Sequence, residues 1–217
     1  MNSQQQAGRR ERGRPPGPGV TVEQRRAELL DAAERAIRVR GTAVSMADIA
    51  REAGYARSAL YAMFADRASV LTALSERHAE RIYVAIADGM RLVPEPRGRF
   101  RVTLDVLCRW VEAEPQLYRV LSRHPLADEG PDRGLFDVVS ASLESLLRST
   151  LRASGADPAP AAPWARAMVG SMAAAVEWWL REDTMSRDSL VEHLTDLFWD
   201  GGAALPPGWL DVGAAES

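Results

Sequence analysis

Apolar residues return every third or fourth position along nearly the whole chain, a period that suits α-helices buried along one face and suits no strand. Leu29, Leu30, Ala33 and Ile37 form one such stripe; Thr21 and Gln24 are spaced as a capping box before it, and Gly41 is a stop after it. Ser45 and Asp48 open a shorter helix with Met46, Ile49, Ala50 and Ala53 facing inward, and Gly54 closes it. A third short helix carries Leu60, Tyr61 and Phe64. Asp66 caps a fourth, which runs through Val70, Leu71, Leu74, Ile82 and Ile86 until Pro94 and Pro96. Phe100, Leu104, Leu107 and Val111 make the next stripe, and Pro115 stands at a helix start ahead of Leu117, Val120 and Leu121. His124-Pro125 and Gly130-Pro131 break the chain before a long helix from Leu135 through Leu143 and Leu147 to Gly155. Residues 156–163, rich in Pro and Ala, read as a loop. Trp164, Met168, Met172, Trp178 and Trp179 mark a further helix; Ser186 caps the last, with Leu190, Val191, Leu194, Leu197 and Phe198 on its face and Gly201 as its stop. The expected fold class is all-α.

Composition narrows the function classes. No run of about 18 apolar residues exists, so no transmembrane helix is expected. The polar, arginine-rich N-terminus has no apolar segment after it, which argues against a secretory signal and for the cytoplasm. Cys108 is the only cysteine, so an intrachain disulfide is excluded, and a buried small apolar residue is the expected role. The net charge of -3 conceals an asymmetry: residues 1–70 hold 12 Arg against 8 Asp and Glu, a net of +4, which leaves -7 for the rest. A basic N-terminal part on an acidic body suits contact with a polyanion at one end. Residues 1–20 read as a disordered arm whose Arg9, Arg10, Arg12 and Arg14 can follow DNA phosphates or simply solubilise the chain. His78, His124 and His193 lack metal-ligand spacing, and no nucleophile motif is present, so no catalytic site, metal or cofactor is expected. His78 and His193, beside charged neighbours, read as solvated.

Two short helices around Ala53-Gly54-Tyr55-Ala56 make a helix-turn-helix, in which glycine supplies the left-handed residue of the turn. The run from Met46 to Arg67, with its Ile49-Ala50 pair, Ala53-Gly54 turn, Leu60-Tyr61-x-x-Phe64 stretch and charged start of the next helix, resembles the DNA-binding signature of the tetracycline-repressor (TetR) family. The resemblance is specific over about residues 21–75 and looser beyond, where Glu114-Pro115-Gln116-Leu117 and the Trp178-Trp179 helix are similar to family members. It implies a recognition helix from about Ala56 to Phe64 in the major groove of double-stranded DNA. Arg57 and Ser58 stand at its exposed start, where Arg57 can pair with a guanine edge or a phosphate. Tyr61 matches a phosphate-contacting position, Tyr55 in the turn belongs to the same expected DNA-binding set, and Ser45 with the amides behind it resembles the family's phosphate clamp. Arg67 stands where most members have Lys. Ala56 departs from the usual Ser or Thr and forgoes a cap worth about 0.5–2 kcal/mol. Ala62 and Met63 replace larger polar residues, which leaves Arg57 a larger share of base readout.

The resemblance further implies a homodimer on a palindromic operator and a small-molecule effector. Residues 21–66 form the expected DNA-binding domain, 67–202 the helical sensing and dimerisation domain, and 203–217 a flexible tail. The last two helices are the expected dimer interface, with Trp178, Trp179, Leu190, Leu194, Leu197 and Phe198 as its anchors or, alternatively, as ordinary core. Phe100, Leu107, Trp110, Tyr118, Met168 and Met172 are candidates for the apolar wall of a sensing pocket, with Arg123 and His124 as polar contacts; the wall suits an apolar or aromatic ligand. Repression released by that ligand is the expected function. A helical interaction module, or a ligand-binding protein that never touches DNA, is the alternative, and steep salt dependence of DNA binding separates the two.

Overall fold

The computed structural model describes residues 21–122 and 134–201. The expected arm and tail, and with them Arg123 and His124, lie outside the described residues. Nine α-helices make up the described fold: α1 Val22–Arg40, α2 Met46–Ala53, α3 Arg57–Tyr61, α4 Arg67–Arg91, α5 Pro96–Ala113, α6 Pro115–Leu121, α7 Leu135–Ala153, α8 Ala161–Glu182 and α9 Arg187–Asp200. A single 3-10 turn, Gly41–Ala43, joins α1 to α2. Among the described residues there is no strand, and no helix is long and apolar enough to cross a membrane.

Local chemistry accounts for the boundaries. Reciprocal capping boxes form at Thr21 with Gln24, Ser45 with Asp48, and Asp66 with Ser69, and Ser186 accepts from the Ser189 amide. Each satisfies amides that the first helical turn leaves without partners. Gly54 ends α2 with φ 69, a left-handed conformation that turns the chain sharply into α3. The loop expected over 156–163 is shorter than its composition implies, because α8 begins at Ala161. Pro163 sits in that first turn, where a missing amide donor costs nothing.

The buried side chains form two cores. The first joins Leu29, Ala33 and Ile37 of α1, Ile49 of α2, Leu60 of α3, Phe64 and the Val70–Leu74 stretch of α4 to Leu117, Val120 and Leu121 of α6. The second joins Leu104, Cys108 and Val111 of α5, Tyr118 of α6, Met172, Val176 and Trp179 of α8, and Leu190, Val191 and Leu194 of α9. Helix α6 therefore contributes to both. Cys108 is fully buried, and burial pushes its thiol up to about 12.

The last two helices meet only at a small contact and share the second core. Instead α8 packs along α7, and α9 packs antiparallel along α5. Charge explains the choice. Arg97 of α5 binds Glu192 and Asp196 of α9, Arg101 also binds Glu192, and Arg187 reaches back to Asp105 and Glu112. Phe100 lies edge-on to Phe198, with ring centroids 5.9 Å apart, and seals the middle of this contact.

Candidate DNA-binding face and sensing cleft

Helix α3 is only one and a half turns long because Ala56 supplies no side-chain cap and the chain tightens after Tyr61. It is shorter than the expected span from Ala56 to Phe64, although Phe64 N still donates to Leu60 O at 2.9 Å. Leu60 and Phe64 are buried in the first core, so the opposite face of α3 must be exposed. That face carries Arg57, Ser58 and Tyr61, the last 53% exposed. Arg57 makes no ion pair among the described residues, so its five donors point to solvent uncommitted.

The other residues of the expected DNA set are tied into the protein. The Tyr55 hydroxyl donates to Glu28 Oε2 at 2.5 Å, and that bond raises its pKa above the usual phenol value. The Ser45 hydroxyl donates to Asp48 Oδ2 at 2.6 Å, and the Ser45 amide binds the same oxygen at 3.0 Å. These bonds hold the Asp48 carboxyl below its ordinary range. The α2 N-terminus thus already carries an internal anion, which Arg40 and Arg51 flank. Arg67 donates from Nε to Val44 O at 2.9 Å and from its guanidinium to Thr42 O at 3.2 Å. It clamps the turn ahead of α2 to the start of α4.

An open cleft of about 390 Å³ lies between α6, α7 and α8. Tyr118, Arg119 and Ser122 form one side, Phe136 another, and Glu177, Leu180 and Arg181 the third. Burial, aided by the charge of Glu177, pushes the Tyr118 phenol up to about 12. Of the expected pocket residues that are described, Tyr118 lines this cleft. Phe100 stacks against Phe198 and Trp199, Leu107 and Met172 pack in the second core, and Met168 lies half-buried on α8. Trp110 bridges the two cores and donates from Nε1 to His78 Nδ1 at 3.3 Å.

The expected solvated His78 is a correction: it is 3% exposed, between α1, α4 and α5. Since Nδ1 accepts from Trp110, its proton belongs on Nε2, which sits 3.3 Å from Glu34 Oε1. Glu34 is itself 5% exposed and lies within ion-pair distance of Arg38, Arg77 and Arg81. Burial, the largest single effect, raises its pKa, but the contact with His78 and the charges of Arg81 and Arg77 together outweigh it and leave about 2. Glu34 and His78, both buried, therefore tie α1 to α4 through an ionic cluster whose arginines reach the surface.

The dimer residues expected from the sequence divide. Trp179, Leu190 and Leu194 are buried in the second core and Phe198 packs beside it. Trp178 and Leu197 are exposed, 39% and 47%, as are Trp164 and Trp199.

Comparison with known proteins follows the same division of the chain. Residues 29–74 match the family model for bacterial regulatory proteins of the tetR family, and residues 85–207 match the tetracyclin repressor-like C-terminal domain. An uncharacterized HTH-type transcriptional regulator of Mycobacterium tuberculosis is 29% identical over 182 residues, 81% of this chain and 76% of its own length. The HTH-type transcriptional activator FasR of Mycolicibacterium smegmatis is 26% identical over 193 residues, 88% of each chain. Among solved structures, the regulator FadR of Bacillus subtilis in complex with stearoyl-CoA superposes with a TM-score of 0.61 at 15% identity, covering 81% of this chain and 98% of that one. RolR in complex with resorcinol gives 0.60 at 21% identity, covering 81% and 87%. The two structures share this fold.

Proposed function

This chain belongs to the TetR family of bacterial transcriptional regulators, and from that premise we propose that it binds a palindromic operator as a homodimer and releases it when a small ligand fills the cleft beside Tyr118. It regulates rather than catalyses, and it acts in the cytoplasm, where DNA is accessible. The carrying observation is the exposed Arg57, Ser58 and Tyr61 face of α3, held rigid by Leu60 and Phe64 in the core behind it. Arg57 reads a base edge in the major groove, and Ser58 and Tyr61 meet the flanking backbone. Ser45 and Tyr55 contribute mainly by shaping the turn and through their amides, because Asp48 and Glu28 engage their hydroxyls. Arg67 acts likewise through the carbonyls it holds.

One short recognition helix covers too few base pairs for genomic selectivity, so a second copy is needed about 34–36 Å away on the same DNA face. The surface for that copy is α8. Trp164 and Trp178 bracket the small exposed residues Ala167, Ser171 and Ala174, spaced three and four apart along one stripe. Small residues let a second helix come close, and the tryptophans anchor its edges.

The effector has an apolar or aromatic body that lies against Tyr118, Phe136 and Leu180, with a polar group within reach of Arg119 or Arg181. A volume of about 390 Å³ suits a substituted aromatic ring. A long acyl chain would require the helices to part. Resorcinol and stearoyl-CoA, the ligands of the structural neighbours, are the first probes for a thermal-shift assay. Whether occupancy represses or activates depends on where the operator lies relative to a promoter; repression follows when the two overlap. The decisive experiment is selection of bound duplex from a random pool by the purified protein and by Arg57→Ala. A palindromic motif enriched by the first and blurred by the second supports the proposal. No enrichment at low salt would overturn it.

A further inference from the structure

The cleft of α6, α7 and α8 separates into an apolar floor and a charged rim. Tyr118 and Phe136 meet edge-on in the floor, with ring centroids 6.1 Å apart and planes at 75°, and Leu180 completes it. A flat ring can stack on one of these rings while its edge meets the other, a fit that an aliphatic chain does not reproduce. The neutral polar groups of the cleft are already engaged. The Ser122 hydroxyl donates to Tyr118 O, one turn back on α6, and the Tyr118 hydroxyl is aimed at Ala173 O, 3.5 Å away. The charged groups are not. Arg119 and Glu177 make no ion pair or hydrogen bond among the described residues. Arg181 has, among the same residues, the exposed neighbour Glu182 at 3.4 Å, a contact that solvent weakens. A neutral ligand therefore finds few free partners, whereas an anion finds two guanidiniums rich in donors. Burial first, and then the charge of Glu177, push the Tyr118 phenol up to about 12, so the Glu177 carboxylate is felt inside the cleft.

We propose that the cleft selects a single-ring aromatic monocarboxylate: Arg119 of α6 and Arg181 of α8 hold its carboxylate between them, and Glu177 rejects a second negative charge. The proposal rests on the reading of this cleft as the effector site. Two arginines against one glutamate leave the rim residues at a net +1, which one carboxylate neutralises and two overshoot. A carboxylate between guanidiniums gains charge-assisted hydrogen bonds that an amide of the same shape lacks. A second carboxylate on the same ligand meets the field of Glu177, which sits one turn before Arg181 on α8, and loses its water without a cation to replace it.

Three ligands of one skeleton test this: 3-phenylpropanoate, its uncharged amide 3-phenylpropanamide, and benzylmalonate, which adds a second carboxylate. Their dissociation constants are measured by calorimetric titration of the full chain at neutral pH. The monoacid should bind about tenfold more tightly than the amide at low salt, and the margin should shrink as salt is raised. Arg119→Gln combined with Arg181→Gln should bring the acid-to-amide ratio near one; either substitution alone serves if the pair unfolds. Benzylmalonate should bind severalfold more weakly than the monoacid, and Glu177→Gln should close or invert that gap. A merely structural loss weakens acid and amide alike and leaves these ratios where they were. Equal binding of acid and amide, an advantage that survives loss of both arginines, a dianion ratio that ignores Glu177→Gln, or failure of all three ligands to bind would overturn the proposal. If the monoacid binds as expected but leaves affinity for the selected duplex unchanged, the ligand class stands and the sensing role of the cleft is what falls.

Discussion

Arg57 and Glu34 show two opposite fates of a charged side chain. Arg57 is exposed and makes no ion pair among the described residues, which leaves its charge available to a partner. Arg57→Ala should cost about 1–3 kcal/mol on the selected duplex and relax preference at one base position. A uniform loss over all sequences, with the salt slope reduced by about one, would assign it to phosphate. Glu34 spends its charge internally. Its pKa is held at about 2, below the ordinary 4.5, so its contribution to stability is complete above the unfolded value and is lost as pH falls through the folded one. The window is therefore about pH 4.5 down to 2. The shift corresponds to roughly 3 kcal/mol at neutral pH, and Glu34→Gln should remove a similar amount and flatten the acid limb of a pH titration of denaturant midpoints. Both Glu34 and His78 were legible as core positions. Glu34 follows Leu30 by four and precedes Ile37 by three, and His78 lies midway between Leu74 and Ile82 at the same spacing. The charged neighbours of His78 pointed to solvent, but the helical face it shares with leucine and isoleucine decides its burial.

Among the elements, α3 is the weakest. It has five residues, and the Ala56 side chain at its start offers no acceptor to the first-turn amides. Ala56→Ser should supply one and raise stability by about 0.5–1 kcal/mol, seen as an upward shift in Tm. No change would mean that the α2–α3 turn, not the cap, limits the helix. Helix α9 illustrates the other extreme. Its Glu192, Asp196 and Asp200 recur at four-residue spacing, and α5 offers Arg97 and Arg101 at the matching interval. Exposed pairs of this kind are worth little each, but together they select which helix α9 lies against. That pattern is present in the sequence. Weighing only the apolar stripe of α9 leaves its partner undetermined.

For the whole molecule, the exposed Trp164 and Trp178 on the α8 stripe suit cover by another surface, which a second copy supplies in the proposed dimer. Sedimentation should show a dimer at micromolar concentration. Ala174→Glu, which places a charge in the middle of the stripe, should yield a folded monomer with at least about tenfold weaker duplex binding. A dimer that survives the substitution would move the interface to the exposed Leu197 and Trp199 edge of α9. The two cores meet at α6 and at the pair formed by Trp110 and His78, so the DNA-binding and sensing parts share side chains instead of a linker.

The sequence by itself determined the helices, because caps, glycine and proline stops and the 3.6-residue period act within a few residues of one another. It determined the helix-turn-helix and its outward face for the same reason: Leu60 and Phe64 point one way, so Arg57, Ser58 and Tyr61 point the other. Only the tertiary structure decided which helix packs on which, since an apolar stripe specifies that it be covered and not by what. The place of the cleft and the burial of Glu34 beside His78 both belong to this second class. Each joins residues tens of positions apart, and their meeting depends on the summed packing of several helices rather than on any local preference.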